Sequence, residues 1–478
     1  MATATANQAP APAQAAQAAV STGNRRVAGL RSWMLTLISS VIAFGVLTGL
    51  LAWQANLTTY NDYHTIVDEG SVSVDAALRA RAAVLDHMSA AATFLETTGE
   101  AQQAAAARAQ ERWTAFNNEA RVSWRNITDS SHGESNVYAS ADRAASDYIQ
   151  QIGSMFAYYN TNQRDRAGDA FLAARETLNT RLVPALTGLE AVKVEAMEAT
   201  YAGAAERITR WRYALIGVAG FLTLILLMGL LAIRRMRYRW SWSVGLPLIV
   251  ALLLAIYMQQ ELAQASNDAR IMVRQAYDSV AGVQDVSANL SQARALESIA
   301  IFDPEQSALH LASFGQYNEL VEQRLCGPRD CTANTFTSSQ DRIAPAVVEA
   351  ALNEQGKLGL PRTPLVANVN FAGQAAAYEQ LRTDYRAWLN AHQQLETQVR
   401  AGDIGAASAT SAGESATTFA QVVESINSAN RVARAEYDKI WQRVYTVSTV
   451  NQGLAILFPL SGLFAAWGIW RRRSELYA

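Results

Sequence analysis

The chain has 478 residues but only two cysteines, five histidines and ten prolines, and its lysines number three: Lys193, Lys357 and Lys439. Two cysteines exclude a disulfide-rich scaffold and a cysteine-built metal site. The histidines (His64, His87, His132, His310 and His392) form no pair at metal-ligand spacing. His87 and His310 read as solvated helix residues, and the acidic residues recur as they do on solvated helix faces. A Gly-rich phosphate loop, a nucleophile elbow and a Walker-type lysine are also missing. No enzyme activity, cofactor, metal or nucleic-acid partner is therefore expected. Scarce proline, with long stretches of Ala, Leu, Glu, Arg and Gln, favours helix throughout. Arginine in place of lysine suggests a GC-rich bacterial genome.

Charge is absent from four apolar runs, 33–53, 213–233, 242–258 and 451–470. A run of about 21 residues makes roughly 31 Å of helix, enough to cross a bilayer core. The third run is shorter and gains reach from Trp240, Trp242 and Tyr257. A soluble helical hairpin is the alternative for the central pair, but a core helix rarely runs so far without charge. A cleaved signal peptide is the alternative for the first run, since Arg25, Arg26 and Arg31 precede it. That run is longer than a signal core and has no clear small-residue cleavage site after it. Pro247 and Pro459 fall inside the third and fourth runs and are expected to kink them.

Arginines set the orientation. They cluster before the first run, in the turn 234–241 (Arg234, Arg235, Arg237, Arg239) and at Arg471, Arg472 and Arg473. Short basic loops stay in the cytoplasm, so both termini and the central turn are expected inside. The inside pieces hold ten arginines and one acid, Glu475, a net of +9 against −2 for the chain, which leaves −11 for the two external regions. The arginines of the turn are candidate contacts for a cytoplasmic partner or for anionic lipid. Residues 1–32, uncharged and rich in Ala, Gln, Pro and Thr up to residue 24, read as a disordered cytoplasmic tail, and 471–478 as a second tail.

The external regions, 54–212 and 259–450, read as long amphipathic helices. Leu178, Leu182, Leu186, Leu189 and Val192 recur at the period of one helix face, as do Val273, Tyr277, Val280 and Val283. Breaks at Thr98-Gly99, at 129–133 and near 160–162 divide the first region into four helices. The expected fold is thus all-α: four transmembrane helices carrying two extracytoplasmic antiparallel four-helix bundles. Internal duplication is expected as well. Arg-Ala-Gly-Asp occurs at 166–169 and 400–403, each preceded by Asp-Tyr (Asp147-Tyr148, Asp384-Tyr385), and Ala92–Glu96 has a counterpart in Ala300–Asp303. In both tetrapeptides the glycine is expected to end one helix in the left-handed conformation and the aspartate to cap the next. Arg79 and Arg81 could bind an anion between helices, with ion pairing the simpler reading.

The second region carries an insert, 326–373, with Cys326-Gly-Pro-Arg-Asp-Cys331. Outside a bacterial membrane this spacing reads as a local disulfide, with free or catalytic thiols as the alternative. A short helix is expected at 343–353. A loop of this length is usually functional, so the insert is a candidate ligand or partner surface. The ligand-binding residues themselves are not legible.

Each half resembles the four-helix-bundle extracytoplasmic sensors of chemotaxis receptors and sensor kinases, without their cytoplasmic relay. The whole layout, with Arg234-Arg235-Met236-Arg237-Tyr238-Arg239 followed by Gly245-Leu246 and an Arg-rich end, is similar to the GlnX family of actinobacterial four-span proteins. That resemblance implies a cell-membrane signal transducer that relays amino-acid availability from an extracytoplasmic solute-binding protein to a cytoplasmic Ser/Thr kinase. The bilayer and a second copy of the chain are further candidate partners. A structural scaffold or accessory subunit of a membrane complex is the alternative. A transporter is disfavoured, because the runs hold no ionisable residue.

Overall fold

The computed structural model describes residues 12–125, 132–235, 242–271, 277–326, 364–365, 369 and 371–475; its regular elements are all helical. In chain order they are α1 (Pro12–His64), α2 (Val72–Glu96), α3 (Gly99–Arg125), α4 (His132–Asn160), α5 (Arg164–Thr177), α6 (Val183–Arg235), α7 (Trp242–Ile271), α8 (Tyr277–Phe302), α9 (Ser307–Cys326), α10 (Gln374–Arg400), α11 (Ile404–Thr410), α12 (Ala416–Ala455) and α13 (Leu457–Glu475). Wider π-helical turns, Thr65–Ser71, Leu178–Leu182 and Ser411–Ser415, join α1 to α2, α5 to α6 and α11 to α12. The helical start at Pro12 differs from the expected disordered tail. Its Ala- and Gln-rich composition has high helix propensity even where it builds no core.

The chain divides into two compact units. The smaller comprises 1–60, 205–266 and 444–478 and contains the four apolar runs. Four helices are long and apolar enough to cross a membrane. Inside, Met34, Val41, Leu222, Leu226, Val244 and Ile469 form a core. Outside, Leu50, Leu224, Leu253 and Phe464 are each more than half exposed. Such a surface suits lipid and not water. Small residues bring α1 and α13 together: a Cβ on Gly45 would stand 3.2 Å from the Gly462 Cα, and one on Gly49 would stand 2.6 Å from Pro459 Cδ. Pro459 has no N–H to offer Ala455, and the helix is interrupted just before it, at Ile456. Pro247 lies near the start of α7, which runs on to Ile271.

The larger unit comprises 61–204 and 267–443, drawing on both long regions between the apolar runs. The three breaks expected in the first region fall between α2 and α3, α3 and α4, and α4 and α5. The leucine stripe points inward, with Leu178, Leu182, Leu186 and Leu189 buried. Where two separate bundles are expected, the two regions share one apolar core. Val84, Met88, Leu178 and Leu182 belong to the same cluster as Val283, Leu296, Tyr385 and Trp388. The reason lies in α2 and α8, which pack against each other and each against a second helix, α3 and α9 respectively. A helix enclosed in this way is buried all round. In α8 every residue from Leu290 to Ile301 is buried.

The two tetrapeptides do not play the same part. Gly402 takes a φ of +76° and the Asp403 side chain accepts from the Ala406 N–H at 3.0 Å, as expected. Gly168 and Asp169 instead lie inside α5. The positive φ of that turn, +59°, belongs to Asn162. Asn tolerates the left-handed region well enough to end α4 six residues before the glycine.

Of the insert, Cys326 is buried at the end of α9, and Leu365 is fully buried in the shared core. A Cβ on Gly282 of α8 would stand 2.8 Å from Leu365 Cδ2, so the glycine makes room for it. Cys331 and the helix expected at 343–353 lie outside the described residues.

Candidate functional site

The strongest concentration of chemistry lies on α8 in the larger unit. Arg294 and Glu297 stand one helical turn apart, 3% and 0% exposed. Arg294 Nη1 donates to Glu297 Oε2 at 2.6 Å and to Ser415 Oγ at 2.8 Å, and its Nη2 donates to the Ser411 carbonyl at 2.9 Å. Ser415 Oγ donates to Glu297 Oε2 at 3.1 Å and accepts from Trp388 Nε1 at 3.2 Å. On the other carboxylate oxygen, Glu297 Oε1 pairs with His392 Nδ1 at 2.7 Å. The His392 ring lies flat on Phe314, centroids 3.5 Å apart.

The π-helical turn Ser411–Ser415 supplies both the carbonyl and the hydroxyl that hold Arg294. Such single-turn bulges shift carbonyls out of the regular ladder and are frequent at functional sites. Burial pushes the Glu297 carboxyl up, but the charge of Arg294 and the hydrogen bond from His392 overrule it, and the net shift is downward. An ion pair this deep is held by its hydrogen bonds; removing one partner strands the other charge.

Beside the network is a cavity of about 220 Å³. Ser89 and Thr93 of α2, Thr97 just after its end, Arg108 of α3, Arg294 of α8 and Phe419 of α12 line it, with several alanines between them. Arg108 Nη2 is held by Asp86 at 2.8 Å, and Asp86 also pairs with Arg112 at 2.8 Å. Glu96, next to Thr97, has both carboxylate oxygens buried, with the Ser411 and Ser298 hydroxyls beside them. Burial raises its pKa more than Arg294 and the Ser411 and Ser298 hydroxyls lower it.

Two further polar groupings accompany the network. Arg81 pairs with Glu190 of α6 at 3.0 Å and with Asp285 of α8, and Arg324 of α9 meets the same Asp285 at 3.0 Å. Arg79 pairs with Glu119 at 2.9 Å and Asp75 at 3.3 Å, so both arginines singled out in the sequence are in ion pairs. The second grouping is His87, 2% exposed, with its Nδ1 at 2.6 Å from the Tyr148 hydroxyl. Burial lowers the His87 pKa to about 4 and raises that of Tyr148. His310 is buried too, 3.2 Å from Asp303. The solvated reading of both histidines is thus corrected: both are buried, His87 against Trp113 and Tyr148 of other helices and His310 beside Asp303.

The sequence-stated site residues fare differently. Cys326 is buried, while its expected partner Cys331 lies outside the described residues. The side chains of Arg234 and Arg235, and all of Arg237 and Arg239, also lie outside them. Arg294, Glu297 and His392 are residues that sequence reasoning passes over as sites. The one available signal is Arg294-x-x-Glu297 within the otherwise weakly charged stretch Ser287–Phe302. Among the described residues no three His, Cys, Asp or Glu side chains converge as a metal ion would require. No protein-family model, curated protein or solved structure matches the chain.

Proposed function

We propose that this protein is a transmembrane signal transducer of the bacterial cell membrane, in which the larger unit senses an extracytoplasmic ligand or a ligand-loaded binding protein. The observation that carries this reading is the position of the ionic network on the chain. The turn Ser411–Ser415 grips Arg294, and α12 begins at the next residue and continues unbroken to Ala455 in the fourth apolar run. A change in the network would act directly on the helix that leads into the membrane, the kind of small helix shift that switches use. In this reading the signal passes to a separate cytoplasmic protein, with a Ser/Thr kinase as the candidate.

Related regions support the same reading. The turn after α4 and the turn after α10 repeat four backbone hydrogen bonds at a constant offset; Asn162 to Tyr159 at 2.9 Å matches Gly402 to Val399 at 3.0 Å, and Gln163 to Tyr158 at 2.9 Å matches Asp403 to Gln398 at 3.0 Å. We read this as the trace of a duplicated sensory module.

Copurification after cross-linking in cells tests the proposal. A soluble binding protein and a Ser/Thr kinase are expected with the wild type. The double substitution Arg235→Gln, Arg237→Gln should lose the kinase and keep normal insertion. A stoichiometric enzyme complex unaffected by that substitution would instead support the scaffold reading.

A further inference from the structure

We infer that the cavity between α2, α3, α8 and α12 binds a small organic carboxylate; this names the ligand class of the sensory site proposed above and rests on that reading for its role. The first ground is unspent donors. A guanidinium carries five N–H groups. Arg294 spends two on Glu297 and Ser415 through Nη1 and one on the Ser411 carbonyl through Nη2. Its Nε–H and one Nη2–H have no protein acceptor, although the residue is only 3% exposed and lines the cavity. Arg108 is the second arginine of the same lining. An acceptor in the cavity would meet the unspent donors of Arg294, with Arg108 adding its charge from the same lining.

The second ground is charge. Among the described residues the charged members of the lining are the two arginines. Nearby Glu297 is already engaged by Arg294, His392 and Ser415, Asp86 by Arg108 and Arg112, and Glu96 lies against the Ser411 and Ser298 hydroxyls, where burial favours its neutral form. The free positive edge therefore faces inward, and a planar carboxylate matches donors on adjacent guanidinium nitrogens. Ser89 and Thr97 add hydroxyls.

The third ground is the rest of the wall. Alanine methyls and the Phe419 ring face the cavity. Inorganic phosphate has no apolar part to cover them, whereas a short carbon chain does. The volume, about 220 Å³, admits an acid of a few carbons and no large ligand.

The test is titration of the purified full-length chain in detergent with succinate and with acetate, followed by calorimetry. Saturable binding of at least one is expected, with succinamide, the uncharged isostere, showing none. Arg108→Gln leaves Asp86 paired with Arg112, and Ala104→Leu fills the cavity at an exposed position. Each should weaken binding at least tenfold while the unfolding midpoint stays near that of the wild type. Absence of binding by both acids, equal binding by both variants, or binding of inorganic phosphate in place of the acids would overturn the inference. Because binding is measured on the isolated chain, its failure leaves the relay to the cytoplasmic partner to stand or fall on the copurification result.

Discussion

His87, from the region between the first two apolar runs, and His392, from the region between the last two, are both buried against aromatic rings in the larger unit. Only His392 faces a carboxylate, Glu297, which in turn is shared with Arg294. His87 has a phenol for a partner, and burial holds it neutral. Two ways of burying a histidine thus coexist in one core. The neutral pair needs only a hydrogen bond, while the ionic network needs every member present. The difference shows where the molecule is open to control by charge: at the second region's network, not at the first region's pair.

The sharpest break in this comparison should come from Glu297→Ala. It leaves Arg294 buried and without its counter-charge, and stability is expected to fall by about 3–5 kcal/mol. The matching change in the neutral pair, Tyr148→Phe, should cost only about 1–2 kcal/mol, the loss of one buried partner. Urea unfolding of both variants in detergent measures the gap; equal losses would erase the distinction.

Acid provides the next effect. His87 is neutral in the folded protein down to about pH 4, whereas unfolded it protonates near its ordinary value of 6.5. Between these values the unfolded chain holds the extra proton. Stability is therefore full above pH 6.5 and declines toward pH 4, by about 3 kcal/mol. His87→Gln should remove that slope in unfolding midpoints taken across the window. Glu297 acts lower. Its folded pKa lies beneath the usual 4.5, so its contribution is present above that value and is lost as pH falls through the folded one.

The smallest effect separates the two equivalent turns. Gly402→Ala puts a Cβ on a residue at φ +76° and should cost about 1 kcal/mol. Asn162→Gly, at φ +59°, should change stability by no more than about 0.5 kcal/mol, since both residues accept that conformation. Thermal unfolding of the pair checks the contrast.

Sequence periodicity was sufficient for much of this fold. Four uncharged runs, the inward leucine stripe from Leu178 to Leu189 and three helix breaks are local patterns, set by residues a few positions apart. The expectation of equivalent tetrapeptide turns went astray because asparagine can end a helix as glycine does, and Asn162 came first.

What the sequence by itself determined, then, was an all-helical chain with four helices suited to a membrane. Only tertiary structure decided that α2 and α8 lie face to face, so that the two long regions between the apolar runs share one core. The burial of charge followed from that contact. Arg294 and Glu297 sit on a helix whose polar residues point in every direction, which reads locally as solvated. Their partners, His392 and Ser415, arrive from about a hundred residues away. Helical periodicity records which side of one helix is apolar; it carries no record of how many neighbours will enclose that helix, or of which distant groups will satisfy its charges.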